Sequence, residues 1–159
     1  MAKTKKTKRR ATTKKAAPKG ESKAAGTARE VAAKDEALAM FTASGVAAAA
    51  KVFDHYDGAL LDLARDQAID AANYIADGQF HVDDVAVMAA GDMIEVGVHD
   101  DPRDLATELS DAWWRGYQRR IGVLLSLATR KNYTPKSSKK LPPHARPGIV
   151  GRVVRSLRN

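Results

Sequence analysis

Residues 101–131 read DPRDLATELSDAWWRGYQRRIGVLLSLATRK, and this stretch decides the fold. Asp101 is a capping residue. Pro102 suits the first helical position, where its missing N–H removes no hydrogen bond. Leu105, Leu109, Trp113, Tyr117, Ile121, Leu124 and Ala128 then recur at intervals of four and three, one apolar stripe along a helix ending near Lys131. A helix that long with one apolar stripe must be covered by other helices. The expected fold is therefore all-α, a small helical bundle of four or five helices.

Upstream, the signals stay helical. Thr27 with Glu30 reads as a capping box that starts the first helix. Val31, Leu38 and Phe41 follow at helical intervals, and Ser44-Gly45 reads as an interruption. Val46 to Tyr56 resumes with Ala47 to Ala50, small side chains that let another helix approach closely. Asp57-Gly58 reads as a turn or a weak point in one long helix. Leu60, Ala64, Ala68, Ala71 and Ile75 form the next stripe, stopped by Gly78. Val85 to Val96 is apolar nearly all round and is expected to be the central, most buried helix.

Charge divides the 159-residue chain into three blocks. Residues 1–26 carry ten Lys/Arg against one acid, net +9. Residues 27–129 carry eight against eighteen, net −10, and residues 130–159 carry nine against none, net +9. A packed core has no use for such flanks, whereas a polyanion or an acidic neighbour does. The reading is a basic arm over 1–26, an acidic helical domain over 27–131, and a Pro-containing basic arm over 132–159. Both arms are expected to be extended. The first is rich in Lys, Ala and Pro and resembles in composition the tails of linker-histone-type proteins; it cannot bury enough apolar surface to offset the entropy of ordering. The second holds four prolines between Thr134 and Pro147 and ends in a short amphipathic helix. There Val150, Val153, Val154 and Leu157 share one face, and Arg152 and Arg155 another.

Several classes are excluded or disfavoured. Without cysteine there is no disulfide or thiolate metal site. No apolar run approaches the roughly 20 residues that span a bilayer, and no apolar h-region follows the basic start. No membrane span and no secretion are expected; the location read is cytoplasm, nucleoid or virion. No Gly-x-Ser-x-Gly, P-loop or Gly-x-Gly-x-x-Gly is present. The clusters Asp54-His55-Tyr56-Asp57, His81-Val82-Asp83-Asp84 and His99-Asp100-Asp101 read as caps and solvated ends rather than metal cages. No enzyme, cofactor or metal is expected.

What remains is binding. Lys5, Lys6, Lys8, Arg9, Arg10, Lys14, Lys15 and Lys19 are the candidate nucleic-acid contacts, non-specific and steeply salt-dependent. Val150, Arg152, Val153, Val154, Arg155 and Leu157 are candidates for docking on a partner subunit, because an apolar stripe needs a protein groove. Trp113 is read as core. Trp114, about 100° further round the helix, is read as facing a second surface, a candidate subunit contact. The expected function is a non-enzymatic structural or assembly protein of a nucleic-acid-containing particle, a phage virion component or nucleoid-type protein. It would bind nucleic acid, DNA before RNA, and further copies or other subunits. A ribonucleoprotein subunit with basic extensions is one alternative, and a phasin-like surface-coating helical protein with a DNA-binding tail another. Each arm could instead hold the acidic core of a neighbouring copy.

Overall fold

The computed structural model describes residues 21–130 and 132–146, with side chains from residue 26 onward. These residues form four helices: α1 Glu21–Leu61, α2 Arg65–Phe80, α3 Val82–Glu95 and α4 Pro102–Arg130. A 3-10 turn follows at Pro143–Ala145, and no strand occurs among the described residues. The described residues are all-α, a small helical bundle.

α4 is its axis. It starts at Pro102, where Asp101 Oδ1 accepts the N–H groups of Arg103 (2.8 Å) and Asp104 (3.4 Å). These satisfy two of the donors that a helix start leaves open. Leu105, Leu109, Trp113, Tyr117 and Ile121 are buried as the stripe predicts. At the far end Ala128 is buried as read, and Leu125 takes the buried place expected of Leu124, which is half-buried. Trp113 and Tyr117 stack with centroids 5.3 Å apart and planes 6° from parallel. The Tyr117 hydroxyl donates to the Ala72 carbonyl at 2.6 Å, which satisfies a buried donor and ties α4 to α2.

α1 runs through two expected boundaries. It begins at Glu21, so Thr27 lies inside the helix rather than at its cap. Ser44-Gly45 does not interrupt it either. Gly45 is there for packing: a Cβ at this position would overlap the Trp113 carbonyl, and one at Gly116 would overlap the Thr42 carbonyl. The two helices cross backbone on backbone. They run in the same general direction, with Lys34 beside Glu108, Gly45 beside Trp113, and Phe53 beside Tyr133 beyond the end of α4. The weak point at Asp57-Gly58 is real, because Tyr56 (φ −130°, ψ 15°) leaves the helical region and kinks α1. By length and composition alone, Gly26–Leu61 could cross a bilayer. Here it carries Ala48, Ala49, Val52 and Phe53 into the core.

α2 buries Ala68, Ala71, Ala72, Ile75 and Ala76, and continues past the expected stop at Gly78 to Phe80. His81, left-handed at φ 45° and ψ 49°, is the single residue between α2 and α3. α3 is not the most buried helix. It turns Val82, Ala86, Ala90 and Met93 inward and leaves Val85, Val87 and Met88 exposed. A short helix lying against one side of the bundle can cover only one of its own faces. It ends where Gly97, at φ 102°, lets the Val98 N–H reach back to the Met93 carbonyl at 3.0 Å.

The core is split in two along α4. One cluster joins α3 (Ala86, Ala90, Met93) to the first half of α4 (Leu105, Leu109), with Ala33, Ala37 and Leu38 of α1 against it. The other joins Val52, Phe53 and Leu60 of α1 to α2 and to Trp113, Tyr117, Ile121 and Leu125 of α4. Phe41 packs against both.

Substituting Gly45→Ala or Gly116→Ala should destabilise the chain by about 1–3 kcal/mol in urea titrations, through forced separation of α1 and α4. Gly91→Ala, an exposed helical site with open space around it, should instead stabilise by up to about 1 kcal/mol. Equal effects at the three positions would show that the crossing carries no special constraint.

Candidate functional site

The segment after α4 returns to the bundle, and one carboxylate holds it there. Asp57 is fully buried. Its Oδ2 accepts the Tyr133 hydroxyl (2.8 Å) and the Lys136 N–H (2.7 Å). Its Oδ1 accepts the Ser137 N–H (2.9 Å) and the Gly58 N–H (2.7 Å). The Ser137 hydroxyl adds a bond to the His55 carbonyl at 2.6 Å. Gly58 has no side chain in the way: a Cβ would stand 2.5 Å from the Ser137 carbonyl oxygen. Further on, Leu141 and Ala145 are buried in the α1–α2–α4 cluster. The packed residues thus extend beyond 131 to Ala145, and Lys136, Lys139 and Lys140 stand exposed on the bundle surface.

Burial pushes the Asp57 carboxyl up, but the donors from Lys136, Ser137, Tyr133 and Gly58 outweigh it and hold the group below its ordinary value. Burial and the bond to Asp57 push the Tyr133 hydroxyl up to about 12.

In the other His/Asp runs Asp101 caps α4 as read, whereas Asp83 lies inside the first turn of α3, whose start has no side-chain cap bond. The Asp83 carboxylate accepts the Ser110 hydroxyl at 2.6 Å, tying α3 to α4. His99 lies 3.6 Å from Glu30. The Lys34 ammonium reaches both Asp100 and Glu108 at 2.8 Å, and these bonds hold it above its usual range. Being exposed, these pairs fix orientation more than they stabilise. Among the described residues no three His, Asp or Glu side chains converge on a metal position.

Two concave surfaces border the tryptophan pair. Trp113 is core, as read. It forms the floor of an apolar groove of about 270 Å³, walled by Met40, Phe41, Phe80, Val82 and Val85. Trp114 is half-buried, edge-on to Trp113 and Tyr117 with centroids 5.0 and 5.6 Å away. It lines a different pocket, about 370 Å³, with Asp70, Asn73, Tyr74, Asp77 and Gln118. Arg115 does not pair with the Asp111 carboxylate; its Nε donates to the Asp111 carbonyl at 3.3 Å. Of the sequence-read candidates, Trp114 alone lies among the described residues. Lys5, Lys6, Lys8, Arg9, Arg10, Lys14, Lys15 and Lys19 lie outside them, as do Val150, Arg152, Val153, Val154, Arg155 and Leu157.

Asp57 has a lowered folded-state value, so its contribution is fully present above about pH 4 and is lost as pH falls through that value. Tyr133 has a raised one, so its contribution is fully present below about pH 10 and is lost as pH rises toward 12. Thermal melts across pH should therefore show Asp57→Asn destabilised at pH 7 by at least about 2 kcal/mol, with a flatter acid limb. Tyr133→Phe should lose about 1 kcal/mol and flatten the alkaline limb. Wild-type acid and alkaline limbs in both variants would show that the carboxylate does not hold the segment.

Comparison of the chain with protein-family models, with curated proteins and with solved structures finds no match.

Proposed function

We propose that this chain is a non-enzymatic structural or assembly protein of a nucleic-acid-containing particle, a phage virion component or nucleoid-type protein. The observation that carries the reading is the distribution of charge. Residues 1–20 hold nine Lys/Arg and no acid, while residues 27–129, the helical bundle, are net −10. The N-terminal stretch is then an extended arm that neutralises phosphate without reading bases, its flexible point charges contacting the backbone at many registers. The acid-rich faces of the bundle, on α2 and α3, are turned away from the polyanion or set against the basic residues of a neighbour.

The C-terminal segment is the second device, docking on a partner subunit. Two surfaces support this. The apolar groove over Trp113 suits the stripe Val150, Val153, Val154 and Leu157. The Trp114 pocket, with Asp70, Asp77 and Tyr74, suits a guanidinium such as that of Arg152 or Arg155 through carboxylates and ring faces.

Replacing Lys5, Lys6, Lys8, Arg9, Arg10, Lys14, Lys15 and Lys19 by Gln in the full chain tests the arm by filter binding to duplex DNA against salt. If six to eight of these charges meet phosphate, the log–log slope should fall in magnitude by roughly 5 to 7. An unchanged slope would sink the arm reading. Docking is tested by light scattering on Val153→Asp/Leu157→Asp in the full chain. The expected outcome is a smaller assembly than wild type; an identical size at every concentration would remove the segment from assembly.

A further inference from the structure

The bundle is acidic, yet three of the eight Lys/Arg between residues 27 and 129 gather in one place. Arg115, Arg119 and Arg120 line a groove of about 470 Å³ between α1 and α4, with Thr42, Val46, Gly116 and Val123 as its other walls. All three arginines are exposed. No Asp or Glu lines the groove, and among the described residues none of the three arginines has a carboxylate within salt-bridge distance. What sets these arginines apart is that they share one groove with no acid in its lining, whereas Lys34 is neutralised by Asp100 and Glu108, each at 2.8 Å. Arg115 spends its Nε on the Asp111 carbonyl at 3.3 Å and keeps its two terminal nitrogens toward the groove, and no ion pair engages Arg119 or Arg120 among the described residues.

The groove follows from the helix crossing. Gly45 and Gly116 bring the two backbones together, so the side chains flanking Gly116 on α4 stand up beside a narrow channel whose far wall is α1. Residues i, i+4 and i+5 of a helix span little more than a turn, about 7 Å along the axis. That is comparable to the spacing of successive phosphates along a nucleic-acid strand. Arginine suits this task because its planar fork binds two phosphate oxygens at once. α2 and α3, by contrast, carry Asp66, Asp70, Asp77, Asp83, Asp84, Asp92 and Glu95 against one Arg65.

We infer that Arg115, Arg119 and Arg120 form a second, folded contact for a nucleic-acid phosphate backbone, fixed on the α1–α4 groove. The inference rests on the proposed particle function but not on the arm. It gives the bundle a defined face toward the polyanion. Residues 1–20 are attached to the same helix about 30 Å before the groove and can extend up to about 66 Å, so arm and groove can share one duplex.

The test uses the full chain and a duplex DNA oligomer in filter binding from low to moderate salt. Three variants are compared with wild type: Arg115→Gln/Arg119→Gln/Arg120→Gln, the eightfold arm variant, and a control that removes the same charge elsewhere, Arg29→Gln/Arg65→Gln/Arg103→Gln. The groove variant should lose at least about tenfold in affinity at 0.1 M salt, with a slope reduced by about 2.7. The control should stay within about threefold of wild type. Circular dichroism melts confirm folding, and Arg119→Lys/Arg120→Lys, which keeps the charge, should restore most of the slope. If groove variant and control behave alike, the groove is not a site, whatever the arm variant does. If the groove variant keeps DNA affinity but loses self-association, the arginines hold an acidic neighbour and the inference is overturned. A normal slope in the arm variant alone overturns the arm reading and leaves the groove standing.

Discussion

The bundle depends on how closely α1 and α4 can cross. At Gly45 and Gly116 each helix presents bare backbone to the other, and a single methyl group at either would meet a carbonyl oxygen. Buried helical glycine costs conformational entropy, so its presence at both positions is informative. What it gains is distance. With the axes close, Trp113 and Tyr117 sit beside the crossing rather than in it. They reach past α1 to Phe80 of α2 and, through the Tyr117 hydroxyl, to the Ala72 carbonyl. The two hydrophobic clusters lie on either side of this point, bridged by Phe41. The grooves are its by-products. Wherever two helices touch by backbone, their larger side chains are displaced to the flanks and leave channels beside the contact.

Much of this architecture was legible in the chain, and the reasons differ by element. α4 was readable because its signals agree: Asp101 and Pro102 at the start, one stripe, and no glycine at a stripe position. α1 was misread at Ser44-Gly45 because glycine inside a helical pattern means either a break or a close approach. Only the partner, here the Trp113 carbonyl, separates the two. The error on Val85–Val96 came from the opposite kind of signal. Apolar residues all round suggest burial, but a peripheral helix has one neighbour to bury against. Val87 and Met88 are accordingly more than 60% exposed.

The sites were legible by residue type and not by place. The tryptophan pair was marked by its two directions on one helix, while Arg115, Arg119 and Arg120 beside it gave no sign of their grouping. Residue type did not show that Trp113 faces a groove with α3 while Arg115, Arg119 and Arg120 face one with α1. Asp57 was invisible for a deeper reason. Three of its four donors are backbone N–H groups, of Gly58, Lys136 and Ser137, and every residue but proline has one. No side-chain pattern could have marked them. The segment 132–140 reads as polar connector, and its attachment is written into one buried acid on another helix.

That acid also imposes an order of events. Tyr133, Lys136 and Ser137 lie 76 to 80 residues downstream of Asp57. Contacts of such sequence separation come at a high loop-closure cost and cannot form before the chain between them exists. On a ribosome, α1, α2 and α3 can all emerge while Asp57 still lacks three of its four donors. The Asp57 network closes only when the stretch beyond α4 arrives, and that stretch also carries the chain on toward its C-terminal basic residues. A nascent or truncated copy therefore cannot present that segment from its proper anchor. The latch thus makes the seating of residues 132–146 wait on synthesis of the chain past Ser137.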